Sequence, residues 1–128
     1  MPSRKIEDCV QPLQDAWRVA SVEYAKTYPS ASQVFLTCTY RSNLEQAELY
    51  AKGRTKPGPK VTNLPKNGKH NCYPAKAFDV AFKKTDGSLD WSRENFIRFA
   101  AIVKKTSPLI QWGGDWTSFK DLPHFQIA

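Results

Sequence analysis

At 128 residues the chain has room for one core and not for a second domain. With 41% hydrophobic residues and four Trp, five Tyr and seven Phe, it carries too much apolar and aromatic material for a disordered tail. The formal net charge of +7 fits a lysine-rich surface or an anionic partner such as nucleic acid, a membrane surface or a cell-wall polymer, and charge alone does not choose between them. Cys9, Cys38 and Cys72 are an odd number at wide spacing with no C-x-x-C pair, which argues against a disulfide framework and a thiolate zinc knuckle. No apolar stretch follows Arg4 and Lys5, and no run approaches the length of a membrane span. The expectation is a chain made in the cytoplasm without a signal peptide.

The first predicted helix covers about Ile6 to Lys26, with Val10, Leu13, Trp17, Ala20 and Tyr24 recurring at steps of three and four. Pro29 ends it by pushing Tyr28 out of helical geometry. Val34 to Tyr40 is β-branched and aromatic, free of Gly and Pro, and reads as a central strand. Ser42-Asn43-Leu44-Glu45 is a capping box opening a second helix to about Lys52, with Gly53 as its left-handed stop. Gly53 to Lys69 is a long irregular stretch with Pro57, Gly58, Pro59, Pro65 and Gly68, rich in Lys and Arg; loops of that length in small domains are often functional. Ala77 to Phe82 reads as a second strand and Asp86-Gly87 as a turn. A third helix runs from about Ser92 to Thr106, apolar along Phe96, Phe99, Ala100 and Val103 and closed by Pro108. Leu109 to Trp112 and His124 to Ile127 are short strands separated by Gly113-Gly114 and a polar loop. The sum is an α+β fold, a single domain over residues 1–128 with a small antiparallel sheet backed by about three helices.

Only two histidines occur, and both sit in unusual contexts. His70 ends the polar loop, nine residues before Asp79 in His70-Asn71-Cys72-Tyr73-Pro74-Ala75-Lys76-Ala77-Phe78-Asp79. Asp79 interrupts a strand that otherwise reads as buried, where a carboxylate is costly unless paired or bound to a cation. His124 stands at the mouth of the last strand. Two imidazoles and a carboxylate make a three-ligand zinc set with a fourth position open for water. On spacing alone, a surface pair or a hydrogen-bonded core histidine explains them as well.

The stretch His70 to Asp79, continued by Val80-Ala81-Phe82, resembles the signature of zinc peptidases that cut peptidoglycan: D-alanyl-D-alanine carboxypeptidases and L-alanyl-D-glutamate endopeptidases, including many phage endolysins. Asn after His, and Pro-Ala-x-Ala before Asp, are similar to the phage-like branch; the commoner form has a shorter His-to-Asp interval. Thr39-Tyr40-Arg41-Ser42 with Gln46, Leu49 to Gly58, Trp112-Gly113-Gly114-Asp115-Trp116 and Asp121-Leu122-Pro123-His124-Phe125 resemble further family elements in the same order. These cover most of the chain after residue 34.

The resemblance implies Zn2+ held by His70, Asp79 and His124, with Asp121 as general base. It implies that Arg41 stabilises the oxyanion or holds a substrate carboxylate or carbonyl, with Gln46 beneath it and Trp112 contacting substrate. Tyr73 and Trp116 are further candidates for the groove. The family often has Ser where Gly68 stands. Cys72, two residues from His70, could ligate as a thiolate but is read as a bystander, because the His–Asp–His set already leaves the open position that catalysis needs. The implied activity is hydrolysis of an amide bond in the peptidoglycan stem peptide by a monomer: an L-alanyl-D-glutamate endopeptidase acting as a phage-type endolysin, reaching the wall after release from the cytoplasm. A D-alanyl-D-alanine carboxypeptidase is the alternative within the class. A metal-free nucleic-acid-binding module using Lys52, Arg54, Lys56, Lys60, Lys66 and Lys69 is the alternative outside it, and leaves the acid–histidine pattern unexplained.

Overall fold

The computed structural model describes residues 2–60, 62, 66, 68–118 and 120–128. Its elements are α1 (Gln11–Thr27), β1 (Gln33–Cys38), α2 (Asn43–Ala51), β2 (Ala77–Lys83), α3 (Arg93–Thr106), β3 (Gln111–Trp112) and β4 (His124–Gln126). The strands form one antiparallel sheet in the order β1-β2-β4-β3, so the α+β expectation holds. No described helix is long and apolar enough to cross a membrane. Of the long basic stretch, Val61, Asn63, Leu64, Pro65 and Asn67 lie outside the described residues.

Two expectations need correction. The first helix starts at Gln11 rather than Ile6. Ile6–Asp8 is a separate 3-10 turn, and the chain then runs beside Ala75, whose N–H donates to Asp8 O at 2.8 Å and whose carbonyl accepts from Val10 N at 2.9 Å. Pro12 suits the first turn that follows, because the N–H it lacks has no helical partner there. The Val34–Tyr40 run is not a central strand. β1 is an edge strand, and β2 and β4 are the two flanked on both sides. A β-branched run reports fit to a pleated, half-buried surface and carries no information about how many neighbours the strand has.

Helices α1 and α3 cover one face of the sheet. Leu13, Ala16, Ala20 and Tyr24 of α1 and Phe96, Phe99, Ala100 and Val103 of α3 bury against Phe78, Val80 and Phe82 of β2 and Phe125 of β4. The period-2 alternation then turns Asp79 to the other face. Phe125 stacks on Phe78 at 5.4 Å between ring centroids and meets Phe99 edge-on at 5.6 Å. Replacing Phe125 by Ala is expected to cost about 3–5 kcal/mol, read as a lower midpoint in urea unfolding. The helix α2 opens on the expected capping box: the Ser42 hydroxyl accepts from Glu45 N at 3.1 Å and the Glu45 carboxylate accepts from Ser42 N at 2.9 Å. After α2, Gly53 takes φ +77°, the left-handed stop.

Candidate metal centre and active site

Asp79 and His124 are register partners on the neighbouring strands β2 and β4, so the ladder brings them together across 45 residues of sequence. Both open onto the sheet face that the helices leave free. His70 reaches them from the turn after the basic stretch. Its carbonyl accepts from Arg41 N at 2.9 Å, which ties that turn to the end of β1.

The ring orientations follow from the partners. Thr39 O can only accept, so His70 Nδ1 carries the proton in their 2.7 Å contact. His124 Nε2 donates to Gln126 Oε1 at 2.8 Å. These bonds leave His70 Nε2 and His124 Nδ1 facing Asp79 Oδ1, at 3.2 and 3.1 Å. Two neutral imidazoles would thus aim lone pairs at a carboxylate oxygen, an arrangement that repels unless a positive charge sits among them. Outer hydrogen bonds of this kind are the usual way histidine ligands are oriented. The three candidate ligand atoms lie within 4.8 Å of one another, and a tetrahedral site with bonds of about 2.0–2.1 Å needs separations of about 3.3 Å. The donor set fits zinc.

The electrostatics express the same demand for a cation. Burial disfavours a charged His70, but the Asp79 carboxylate beside it and hydrogen bonds to Asp79 and Cys38 lift its pKa to about 10. Burial would raise Asp79, yet the charge of His70 and the hydrogen bonds from His124 and His70 hold its carboxyl well below the usual carboxylate range.

The three residues line a cleft of about 370 Å³, together with Arg41, Gln46, Trp116 and Asp121. Asp121 N donates to Gly113 O at 3.1 Å, and Asp121 O accepts from His124 N at 3.1 Å. Burial and the nearby Asp79 charge push its carboxyl pKa up, partly offset by His124, His70 and Arg41. Gly113 is required here by close approach, since a Cβ on it would lie 2.2 Å from Asp121 O. Gly113→Ala is therefore expected to displace Asp121 and lower turnover at least tenfold, with little change in bound metal; steady-state kinetics beside metal analysis checks both.

Arg41 donates from Nη1 to Gln46 Oε1 at 2.9 Å, and Gln46 Nε2 donates to Thr62 Oγ1 at 3.1 Å. Arg41 Nε is buried and has no hydrogen-bond partner among the described residues, leaving donor capacity at the cleft wall. Gln46 thus holds the guanidinium from below.

Trp112 is not brought to the cleft, contrary to expectation. It is 8% exposed, belongs to the core and donates from Nε1 to Leu122 O at 2.7 Å. A buried indole needs such an acceptor, and the loop carbonyl supplies it. Trp116 takes the cleft position instead, its ring 5.3 Å from that of His124. Tyr73 is exposed, packed edge-on against Tyr40 and bonded to Asp8. Cys72 is exposed with its thiol toward Lys69 O, outside the ligand cluster. At Gly68, where Ser is usual in the family, the backbone N–H donates to Asn71 Oδ1 at 2.7 Å.

Sequence reasoning missed Asn71 and Gln126. Asn71 Nδ2 donates to Arg41 O at 2.7 Å and so braces the turn that carries His70. Gln126 lies two residues after His124, hence on the same face of β4, and that spacing was the available signal.

Fold and site together define a small α+β domain with a His–Asp–His cluster able to hold a metal ion and a neighbouring carboxylate in one cleft. Residues 66–127 match a family model described as D-alanyl-D-alanine carboxypeptidase. Peptidoglycan L-alanyl-D-glutamate endopeptidase CwlK of Bacillus subtilis (strain 168) is 37% identical over 103 residues, 73% of this chain and 60% of the relative. The chain thus spans about 60% of that relative's length. The crystal structure of Serratia marcescens L-Ala D-Glu endopeptidase ChiX is similar in fold, with a TM-score of 0.66 over 100% of this chain and 89% of that one, at 23% identity. The chain is thus similar to D-alanyl-D-alanine carboxypeptidases over residues 66–127 and to an L-alanyl-D-glutamate endopeptidase over 103 residues.

Proposed function

We propose that this domain is a zinc-dependent peptidase that hydrolyses an amide bond in the peptidoglycan stem peptide, the L-alanyl-D-glutamate bond, as a phage-type endolysin. The observation that carries the reading is the convergence of His70 Nε2, Asp79 Oδ1 and His124 Nδ1 in a cleft that also holds Asp121. The relative's printed activity supports this bond over the terminal D-alanyl-D-alanine bond.

Zinc held by His70, Asp79 and His124 would polarise the scissile carbonyl and make water a nucleophile at neutral pH. Asp121 takes a proton from the attacking water and returns it to the leaving amine; its burial raises its basicity for that task. Arg41, steadied by Gln46 and with its Nε unsatisfied, donates to the oxygen on which charge develops or to a substrate carboxylate. Trp116 shields one side of His124 from solvent. The domain acts as a monomer, is made in the cytoplasm and meets the wall after release.

Mass spectrometry of digested sacculi tests the bond. Endopeptidase action releases stem peptides beginning at D-glutamate, whereas release of single D-alanine would assign the carboxypeptidase activity instead. No cleavage by zinc-loaded protein would overturn both.

A further inference from the structure

Trp91 is 59% exposed, yet it lines the same cleft as the metal centre. It does not hang loose. Its ring lies nearly parallel to the buried Phe96 ring, at 15° and 6.1 Å. The preceding residue is fixed from several sides: Asp90 N donates to Phe82 O at 2.8 Å, and the Asp90 carboxylate accepts from Ser32 Oγ at 2.6 Å and Ser92 Oγ at 2.7 Å. The result is a fixed aromatic surface presented to solvent inside the cleft.

The cleft is also polarised along its length. β1 and β2 run antiparallel with Cys38 opposite Asp79, so Thr39 to Arg41 continue past the Asp79 end of the sheet. The cations that line the cleft, Arg41 and Lys69, belong to that end, where Arg41 N is bonded to His70 O. Trp91 sits toward the other end, because Asp90 is bonded to Phe82. From Asp79, Ala81 on the same face is two residues away, about 7 Å at the rise of an antiparallel strand. The metal centre therefore lies between a cationic end and an aromatic end.

We propose that Trp91 is a saccharide platform and that the cleft reads the direction of its substrate. The neutral sugar next to the stem peptide stacks on Trp91, and the carboxylate-bearing peptide runs toward Arg41 and Lys69. This rests on the peptidoglycan reading above and adds the orientation of the chain in the cleft. The chemistry fits in order as in charge. In peptidoglycan the sugar joins the first alanine through a lactyl group, on the side of the scissile bond away from the stem carboxylates. An aromatic face suits the C–H face of a pyranose, while a carboxylate would gain nothing there.

Two measurements test it on the intact, zinc-loaded domain. In the first, wild type, Trp91→Ala and Trp91→Phe cleave a soluble disaccharide-bearing stem peptide and the same peptide without sugar. The preference in kcat/KM for the sugar-bearing substrate falls about fivefold to tenfold in Trp91→Ala, mostly through KM, and Trp91→Phe restores most of it. Equal losses on both substrates, or none, overturn the proposal. In the second, a soluble N-acetylglucosamine oligomer is titrated against tryptophan fluorescence, which needs no cleavage. Saturable quenching in wild type and its loss in Trp91→Ala support the platform, and no binding to wild type overturns it. Wild type that binds the oligomer but cleaves neither substrate removes the peptidase reading and leaves the platform standing.

Discussion

Asp121→Asn is expected to keep its zinc at the wild-type level and to lose about a thousandfold in kcat. The side chain keeps its shape and size, and the contacts that place residue 121 are made by its backbone: N–H to Gly113 O and carbonyl to His124 N. What disappears is the ability to accept a proton from water and return it to an amine. A loss confined to kcat, with metal content and melting temperature unchanged, is the signature of that single deficit. Turnover of a soluble muropeptide, read beside elemental analysis of the same sample, checks it. Normal turnover would remove Asp121 from the chemistry, and loss of zinc would make it a support of the ligand set.

The second large effect concerns the metal itself. Wild type should carry one zinc per chain, lose all cleavage on chelation and recover it on adding zinc back. His124→Ala should bind no zinc and show no cleavage under any metal condition. Because a tightly bound ion stabilises only the folded state, chelation should also lower the wild-type melting temperature by about 10 °C or more. His124→Ala should not respond to chelator. The physical reason lies in the ring orientations. His70 and His124 are each held by an outward hydrogen bond, so in their neutral forms their inward nitrogens present lone pairs to Asp79. Removing the ion leaves that cluster under repulsion, relieved only by taking up protons. Differential scanning fluorimetry with and without chelator separates this outcome from a purely structural His–Asp–His cluster, whose melting temperature would not move.

Much of this site is legible in the sequence. Asp79 stood out because a carboxylate in an apolar strand needs a partner, and two histidines in odd contexts offered one. The capping box of α2 and the left-handed Gly53 are local devices, written within a few residues, and both form as read. What failed was information that is not local. Whether Val34 to Cys38 lies at the centre or the edge of a sheet depends on which strands come to pair with it. Which tryptophan of Trp112-Gly113-Gly114-Asp115-Trp116 turns inward depends on the path of the loop. Gly114 lies so close to the Trp112 ring that a Cβ there would come within 2.3 Å of it, and only Trp116 is left to face the cleft. The helix start at Gln11 was hidden for a similar reason: Cys9 and Val10 continue the apolar pattern of α1, but their segment is held by backbone bonds with Ala75, far along the chain.

The pairing of Asp79 with His124 has a consequence for how such a domain changes over time. Their separation is set by the ladder between two strands whose other faces lie in the core, the least deformable part of the molecule. Part of the cleft wall comes from elsewhere: Thr62, Gly68, Lys69 and Trp116 stand on connecting segments outside the sheet. Those segments can lengthen, shorten or exchange residues while the ligand spacing stays as the sheet dictates. A lineage, or a protein engineer, can therefore retune which substrate is accepted by rewriting loops, without having to reinvent the His–Asp–His cluster at each step.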